Sequence, residues 1–181
     1  MTAKTKMEKK GVVWVSTVLY ILISLAILSL VLVSVQPVID KNKDRTVIFQ
    51  TIDMLKEIDS TIEQVSVSQD TNLGLKLKIS RGNLMIDSQD NLISWELRDS
   101  AYQYSEENRT VNVTSDARMT AFSKKIGNKW ATKIFLNYTN RYDLTYAGKE
   151  ETKVLSESEY DLFIKNVNTS TSPIEIDFTA G

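Results

Sequence analysis

The first feature of the hydrophobic pattern is one long uncharged run near the start of the chain. Residues 12–35 are 24 positions without Asp, Glu, Lys or Arg. At about 1.5 Å per residue, a helix of this length spans about 36 Å, which exceeds the hydrocarbon core of a bilayer at about 30 Å. The run therefore predicts a transmembrane helix over residues 12–36.

A second pattern follows Pro37. Apolar residues recur in steps of mainly three and four, which is the spacing of one face of a helix. The positions are Val47, Ile48, Ile52, Leu55, Ile58, Ile62 and Val65. They predict an amphipathic helix extension over residues 37–70. Because Pro37 lacks a backbone donor, we expect a helix kink there.

From about residue 71 the period changes to two. In LGLKLKIS, residues 73–80, every second residue is Leu or Ile, as in a half-buried strand. Similar short runs separated by polar turns continue to the end, so residues 71–181 are predicted to form an antiparallel β domain. The fold class is α+β: a long N-terminal, partly transmembrane α-helix followed by an antiparallel β-sandwich-like head. The aromatic residues expected in its core are Trp95, Phe122, Trp130, Phe135, Phe163 and several tyrosines.

Lysines flank the apolar run on one side only. Lys9 and Lys10 precede it, and positive residues stay in the cytoplasm, so residues 1–11 are expected inside and the β domain outside. A cleaved secretory signal fits poorly, because its apolar region is usually about 7–15 residues. Cleavage after Ser34 would also place Leu32 where a small residue is needed. An uncleaved anchor remains an alternative.

The segment Lys9-Lys10-Gly11-Val12 resembles the class III signal peptide of archaeal type IV pilins and archaellins. The resemblance implies that a membrane prepilin peptidase cuts after Gly11 and that the apolar helix is kept. It also implies that residues 12–66 pack with copies of this chain or related pilins, with a β-rich head at the cell surface. Ser16 stands where bacterial pilins have Glu, which favours the archaeal group.

The amino-acid composition excludes several kinds of catalytic and metal-binding site. The chain has no Cys and no His, so thiolate nucleophiles and His-ligated metals are excluded. The chain has 22 basic and 23 acidic residues, and without residues 1–11, which hold four lysines and one glutamate, 18 basic and 22 acidic residues remain. This mildly acidic remainder argues against a nucleic-acid partner. We found no nucleotide or nucleophile motif. We therefore expect no enzyme, no catalytic residue, no cofactor and no metal; Asp87 and Asp90 are expected to form an Asx turn.

Four N-x-[ST] sequons lie in the predicted extracellular part, at Asn108, Asn112, Asn137 and Asn168. Such motifs mark surface positions in exported proteins, so all four are candidate N-glycosylation sites of a glycoprotein.

Two functions follow from these patterns. The first is an exported type IV pilin-like subunit that assembles through its apolar helix into a surface filament or pseudopilus, for adhesion or surface interaction. The alternative is an uncleaved single-pass membrane protein whose outer β domain binds a surface layer or a motility stator. A membrane-tethered enzyme is disfavoured, since His, Cys and any recognised nucleophile are missing.

Overall fold

The computed structural model describes residues 4–68, 71–168 and 172–181, with side chains from Trp14 onward except that of Asn168. Within these ranges there is one helix, α1, Lys4–Ser66, and ten strands. The strands are β1 Asn72–Lys78, β2 Asn83–Asp87, β3 Leu92–Ser100, β4 Thr110–Asn112, β5 Met119–Ile126, β6 Lys129–Asn137, β7 Tyr142–Tyr146, β8 Lys153–Leu155, β9 Glu159–Asn168 and β10 Ile174–Ala180. The chain is therefore α+β, as predicted. It divides into two compact units, residues 1–40 and 41–181.

The strands form two sheets. In order across each sheet, one is β1-β9-β10-β7 and the other is β4-β5-β6-β3-β2-β8. We call them the four-stranded and the six-stranded sheet. Pairing is antiparallel except between β10 and β7, which run parallel. A parallel pair needs a long connection, and here the chain passes through β8 and β9 before β10 returns beside β7.

The amphipathic part of α1 forms the centre of the core. Its apolar positions are almost completely buried, namely Ile48, Ile52, Leu55, Ile58, Ile62 and Val65. They belong to one hydrophobic cluster with the inward residues of both sheets. The apolar face that the spacing predicts is therefore covered within residues 41–181. The helix ends at Ser66, four residues before the expected boundary.

The strands alternate as the period of two predicts. In β6, Thr132, Ile134 and Leu136 are buried, while Lys133 and Phe135 between them face outward and are partly exposed. In β1 the leucines face the core and the lysines face solvent. Each strand thus contributes one apolar face to the core and one face to the outside.

The expectation that all the large aromatic residues fill the core is wrong. Trp95 is fully buried, but Phe163 is 42% exposed, and Phe122 and Phe135 are only half-buried. Trp130 is half-buried beneath the Lys125 ammonium, 5.8 Å from the ring centre. The reason is strand parity, because Phe122, Phe135 and Phe163 occupy outward positions. The expectation of buried tyrosines is confirmed by Tyr138, Tyr142 and Tyr146, and Phe178 and aliphatic residues fill the rest of the core.

A glycine lets the first hairpin approach the buried tryptophan. Gly82 has a φ of 84°, and a Cβ there would lie 2.5 Å from the Glu96 carbonyl oxygen and 2.9 Å from Trp95 Nε1. The Trp95 indole donates a hydrogen bond to the Arg81 carbonyl at 3.0 Å. Only glycine combines this backbone conformation with this close approach, so the turn between β1 and β2 has a specific packing role.

The buried helix face generates a first prediction. We expect Leu55→Ala to lower the free energy of unfolding by about 2–5 kcal/mol, because Leu55 is fully buried and the truncation leaves a cavity. The measurement is denaturant unfolding of the full chain in micelles, followed by near-ultraviolet circular dichroism. Glu57→Ala on the exposed face is the matched control and should change stability by less than about 0.5 kcal/mol. Equal effects of the two variants would contradict the buried-face assignment.

Candidate functional site

The first candidate site is the apolar part of α1, residues 14–39, which we call the apolar segment. Its large hydrophobic side chains are exposed, Leu30 at 72% for example. The described part of the chain contains one helix long and apolar enough to cross a membrane, and none of its most apolar window is buried. These properties are compatible with membrane insertion and with a signal sequence.

Three serines of the apolar segment have hydroxyl groups that are hydrogen-bonded within the helix. Ser24, Ser29 and Ser34 each donate a hydroxyl hydrogen bond to the backbone carbonyl four residues earlier, at 2.8 Å. Such bonds let serine reside in an apolar environment without an unpaired polar group. The serines therefore do not prevent the segment from contacting lipid or another helix.

The predicted cleavage residues lie in the first turns of α1. The backbone of Lys9, Lys10, Gly11 and Val12 is helical, and their side chains lie outside the described part of the structure. The helix continues through Pro37 without interruption, and the expected kink stays a prediction.

The second candidate site is the set of polar contacts that attaches α1 to the β domain. Asp44 begins it, and this carboxylate is almost fully buried. It accepts one bond from the Arg81 guanidinium and another from the backbone N–H of Ala101, at 2.6 Å in the second case. One aspartate of the helix thus contacts both the β1–β2 turn and the segment after β3.

A second polar cluster lies in the last two turns of α1. Arg118 Nη1 lies 2.6 Å from Glu63 Oε1 and 3.2 Å from Asp59 Oδ1. The Tyr138 hydroxyl donates to the same Asp59 oxygen at 2.9 Å, and Arg141 reaches Glu63 at 3.1 Å. Because two helix carboxylates meet two arginines and a tyrosine of the β domain, the cluster defines how α1 is seated along its axis.

Burial changes the ionisation of this cluster. Desolvation raises the pKa of Asp59 above its usual value, and this outweighs the hydrogen bond from Tyr138 and the charge of Arg118. Burial likewise raises the pKa of the Tyr138 hydroxyl, with the Asp59 charge adding to it. At the exposed edge, hydrogen bonds from Thr114 and Arg118 lower the pKa of Asp116 to about 2.

The helix end is capped by a distant side chain. Asn166 of β9 is fully buried, and its Nδ2 donates to the carbonyl oxygens of Val65 at 3.0 Å and Ser66 at 3.4 Å. The last carbonyls of a helix lack partners within it, so a buried end needs donors from elsewhere. Tyr142 adds a bond from its hydroxyl to Ser66 Oγ at 3.1 Å.

Three predicted sequon asparagines lie in the described structure with exposed side chains, Asn108, Asn112 and Asn137. Asn137 Oδ1 accepts the backbone N–H of Thr139 at 2.9 Å, which forms an Asx turn at the end of β6. The side chain of Asn168 lies outside the described residues. The sequons are thus separate surface positions and form no common site with the helix contacts.

The predicted turn at residues 87–90 has the expected form. Asp87 Oδ1 accepts the N–H of Gln89 at 3.1 Å, which is an Asx turn. Among the described residues, no group of three or more acidic side chains is placed to hold a metal ion.

Sequence reasoning missed the residues that attach the helix. Asp44, Arg118 and Asn166 carried no motif, because polar contacts between residues so far apart in the chain have no local sequence signal. The one available clue was Asp44, an acidic residue close to the apolar face.

In comparisons with protein-family models, curated proteins and solved structures, nothing matches this chain. The physical features of the apolar segment and of the attached β domain therefore carry the functional assignment.

The raised pKa of Asp59 generates a second prediction. The folded chain keeps this proton to higher pH than the unfolded chain, so the Asp59 contribution favours folding at low pH and is lost as pH rises through the folded pKa. Asp59→Asn lacks this dependence. We expect the stability of the variant, relative to the natural chain, to increase from about pH 4 to about pH 7.

The measurement is the free energy of unfolding of both proteins across that pH range. Asp53→Asn is the matched control, because Asp53 is exposed and its one ion pair within the described ranges is with Lys56 on the same helix. Its pH profile should run parallel to that of the natural chain. A parallel profile for Asp59→Asn would contradict the role of burial.

Proposed function

We propose that this chain is an exported pilin-like subunit that assembles through its apolar segment into a cell-surface filament or pseudopilus. The role is structural, in adhesion or surface interaction, and not catalytic. The observation that carries the proposal is one continuous helix with two kinds of surface: an exposed apolar segment, and a second half buried in a β domain.

Exposure of the apolar segment to water is energetically unfavourable. Burying one Leu, Ile or Val side chain is worth about 1.5–3 kcal/mol, and the segment exposes more than a dozen of them. Such a surface needs either lipid or other apolar helices. A subunit that moves from the bilayer into a bundle exchanges one apolar surrounding for another, so neither state leaves the segment in water.

The contact between copies is assigned to the apolar segment alone. The apolar face from Ile48 to Val65 is covered by the core of its own β domain. We therefore restrict the self-association first expected for residues 12–66 to residues 14–39. The two sheets are proposed to pack as a sandwich-like head, which would lie outside the cell because the leader lysines precede the apolar segment.

Cleavage after Gly11 would allow the subunit to move from the membrane into the filament. The leader contains Lys4, Lys6, Lys9 and Lys10. Moving four ammonium groups into an apolar bundle is costly unless each is paired. Removal of the leader by a prepilin peptidase would remove these four side-chain charges, so that the new α-amino group of Val12 is the one positive charge left at the helix start.

Processing generates a third prediction. Gly11→Leu should block cleavage, because a membrane peptidase that cuts after a small residue must bring that backbone close to its catalytic groups. The measurement is N-terminal sequencing of the membrane-extracted chain from a host with an active prepilin peptidase. The natural chain should start at Val12 and the variant at its original terminus. Val13→Leu, which keeps Gly11, is the matched control and should be processed.

An unprocessed natural chain in that host would contradict the proposal and favour the uncleaved single-pass anchor.

Self-association generates a fourth prediction, and the absence of cysteine makes it testable. Single cysteines introduced in turn at positions 21–28 should give crosslinked dimers in the assembled state, strongest at positions three or four apart that share one helix face. The measurement is thiol crosslinking followed by gel electrophoresis. Lys56→Cys on the exposed face of the second helix half is the control. If none of the positions 21–28 crosslinks more strongly than the Lys56→Cys control, helix bundling is contradicted.

A further inference from the structure

The outward face of the six-stranded sheet carries an unexpected apolar floor. A sheet with one face on the core normally presents polar residues on the other. Here Phe122 of β5 and Phe135 of β6 point outward, and neither packs against the core cluster. Ala131 and Ile126 extend the same surface, the latter 54% exposed. Apolar surface of this kind, surrounded by charge, marks binding sites.

This floor lies in a concave site of about 710 Å³, within the range of about 300–1,000 Å³ typical of ligand pockets. The strand register explains its composition. Phe122 is directly opposite Lys133 on one side and Thr110 on the other. The site is lined by Glu96, Arg98, Asp99, Thr110, Phe122, Lys124, Ile126, Ala131, Lys133 and Phe135. We call it the outer-sheet site.

The charged groups around the floor are partly pre-arranged. Glu96 accepts from Arg98 at 3.1 and 3.2 Å, and the Lys133 ammonium lies 3.7 Å from it. The side chain of Lys124 is exposed and makes no ion pair with any described residue. Three cations thus surround the site against the two carboxylates of Glu96 and Asp99, which leaves a net positive charge.

A β-bulge directs two adjacent residues to this site. The pairing of β3 with β6 shifts register between Leu97 and Ser100, and Asp99 has a φ of 60°. Consecutive strand residues normally point to opposite faces, but a bulge re-aims them. As a result Arg98 and Asp99 both line the outer-sheet site and are both exposed.

We propose that the outer-sheet site binds an acidic saccharide, a sugar chain bearing carboxylate groups. The rings of Phe122 and Phe135 present faces of partial negative charge, which attract the C–H groups on the flat side of a sugar. Glu96 and Asp99 accept hydrogen bonds from hydroxyls, and Thr110 both donates and accepts them. The unpaired Lys124 and the net positive charge select a carboxylate over a neutral sugar.

A fully apolar ligand fits less well, since five charged side chains line the site. The inference does not require filament assembly. Binding is measured on the isolated subunit, so a failed binding test and a failed assembly test are distinguishable.

The test uses the full chain in nanodiscs of zwitterionic lipid, so that neither detergent nor lipid charge competes for the site. Trigalacturonate is the acidic probe, and maltotriose is the neutral probe of equal length. Isothermal titration calorimetry should show trigalacturonate binding at least about tenfold tighter than maltotriose. A triglutamate peptide, which carries carboxylates without sugar rings, should bind at least about tenfold more weakly than trigalacturonate.

Two variants assign the binding to this site. Lys124→Gln should weaken trigalacturonate binding about three- to tenfold, as expected for one exposed charge contact, and should leave maltotriose unaffected. Phe135→Ser should weaken both saccharides about tenfold by removing an aromatic surface. The matched controls lie on the outward face of the four-stranded sheet, Lys76→Gln and Phe163→Ser, and should bind like the natural chain.

Near-ultraviolet circular dichroism serves to check that Phe135→Ser is folded. Lys124→Gln tests the site independently, because Lys124 is exposed and its substitution removes no core contact. The proposal is overturned if trigalacturonate fails to bind at millimolar concentration, or if maltotriose or triglutamate binds equally well. It is also overturned if Lys124→Gln binds trigalacturonate like the natural chain, or if the control variants lose binding to the same extent.

Discussion

The rest of this structure depends on the burial of one helix face against two sheets. The face from Ile48 to Val65 joins a single hydrophobic cluster with the inward residues of both sheets. Removing α1 would expose the inner sides of both sheets at once, so the β domain and the second half of the helix form one cooperative unit.

Polar contacts then define where the helix sits. Hydrophobic burial is non-directional, and a helix slid by one turn would still bury many of the same residue types. Asp44 near the start of the buried half and Asn166 at its end are both almost fully buried, and the hydrogen bonds of the Asp44 carboxylate and of Asn166 Nδ2 form only at one axial position of the helix. The cluster of Asp59, Glu63 and Arg118 adds a third set of polar contacts between α1 and the β domain. A misplaced helix would leave these groups buried without partners, which is costly.

Strand parity divides the aromatic residues between stability and surface chemistry. Trp95 lies on the inward face and donates to a turn carbonyl, whereas Phe122 and Phe135 lie outside the core. The hydrophobicity of the two phenylalanines favoured a core location, but composition alone could not decide which face of the sheet they occupy. A shift of one residue in the pairing would exchange the two faces, so the register of β5 against β6 is what creates the outer-sheet site.

The sequence by itself determined the long helix, its uncharged segment, the buried face from Ile48 to Val65, and a β-rich remainder with most strand positions. These features are local, since a period of 3.6 or two and a charge-free run are readable from neighbouring residues. Only the tertiary structure decided the two-sheet order, the parallel β10–β7 pair, the capping of α1 by Asn166 and the outward aromatic floor. Each of these joins residues far apart in the chain, and such contacts are selected by the packing of the whole domain, which no local pattern encodes.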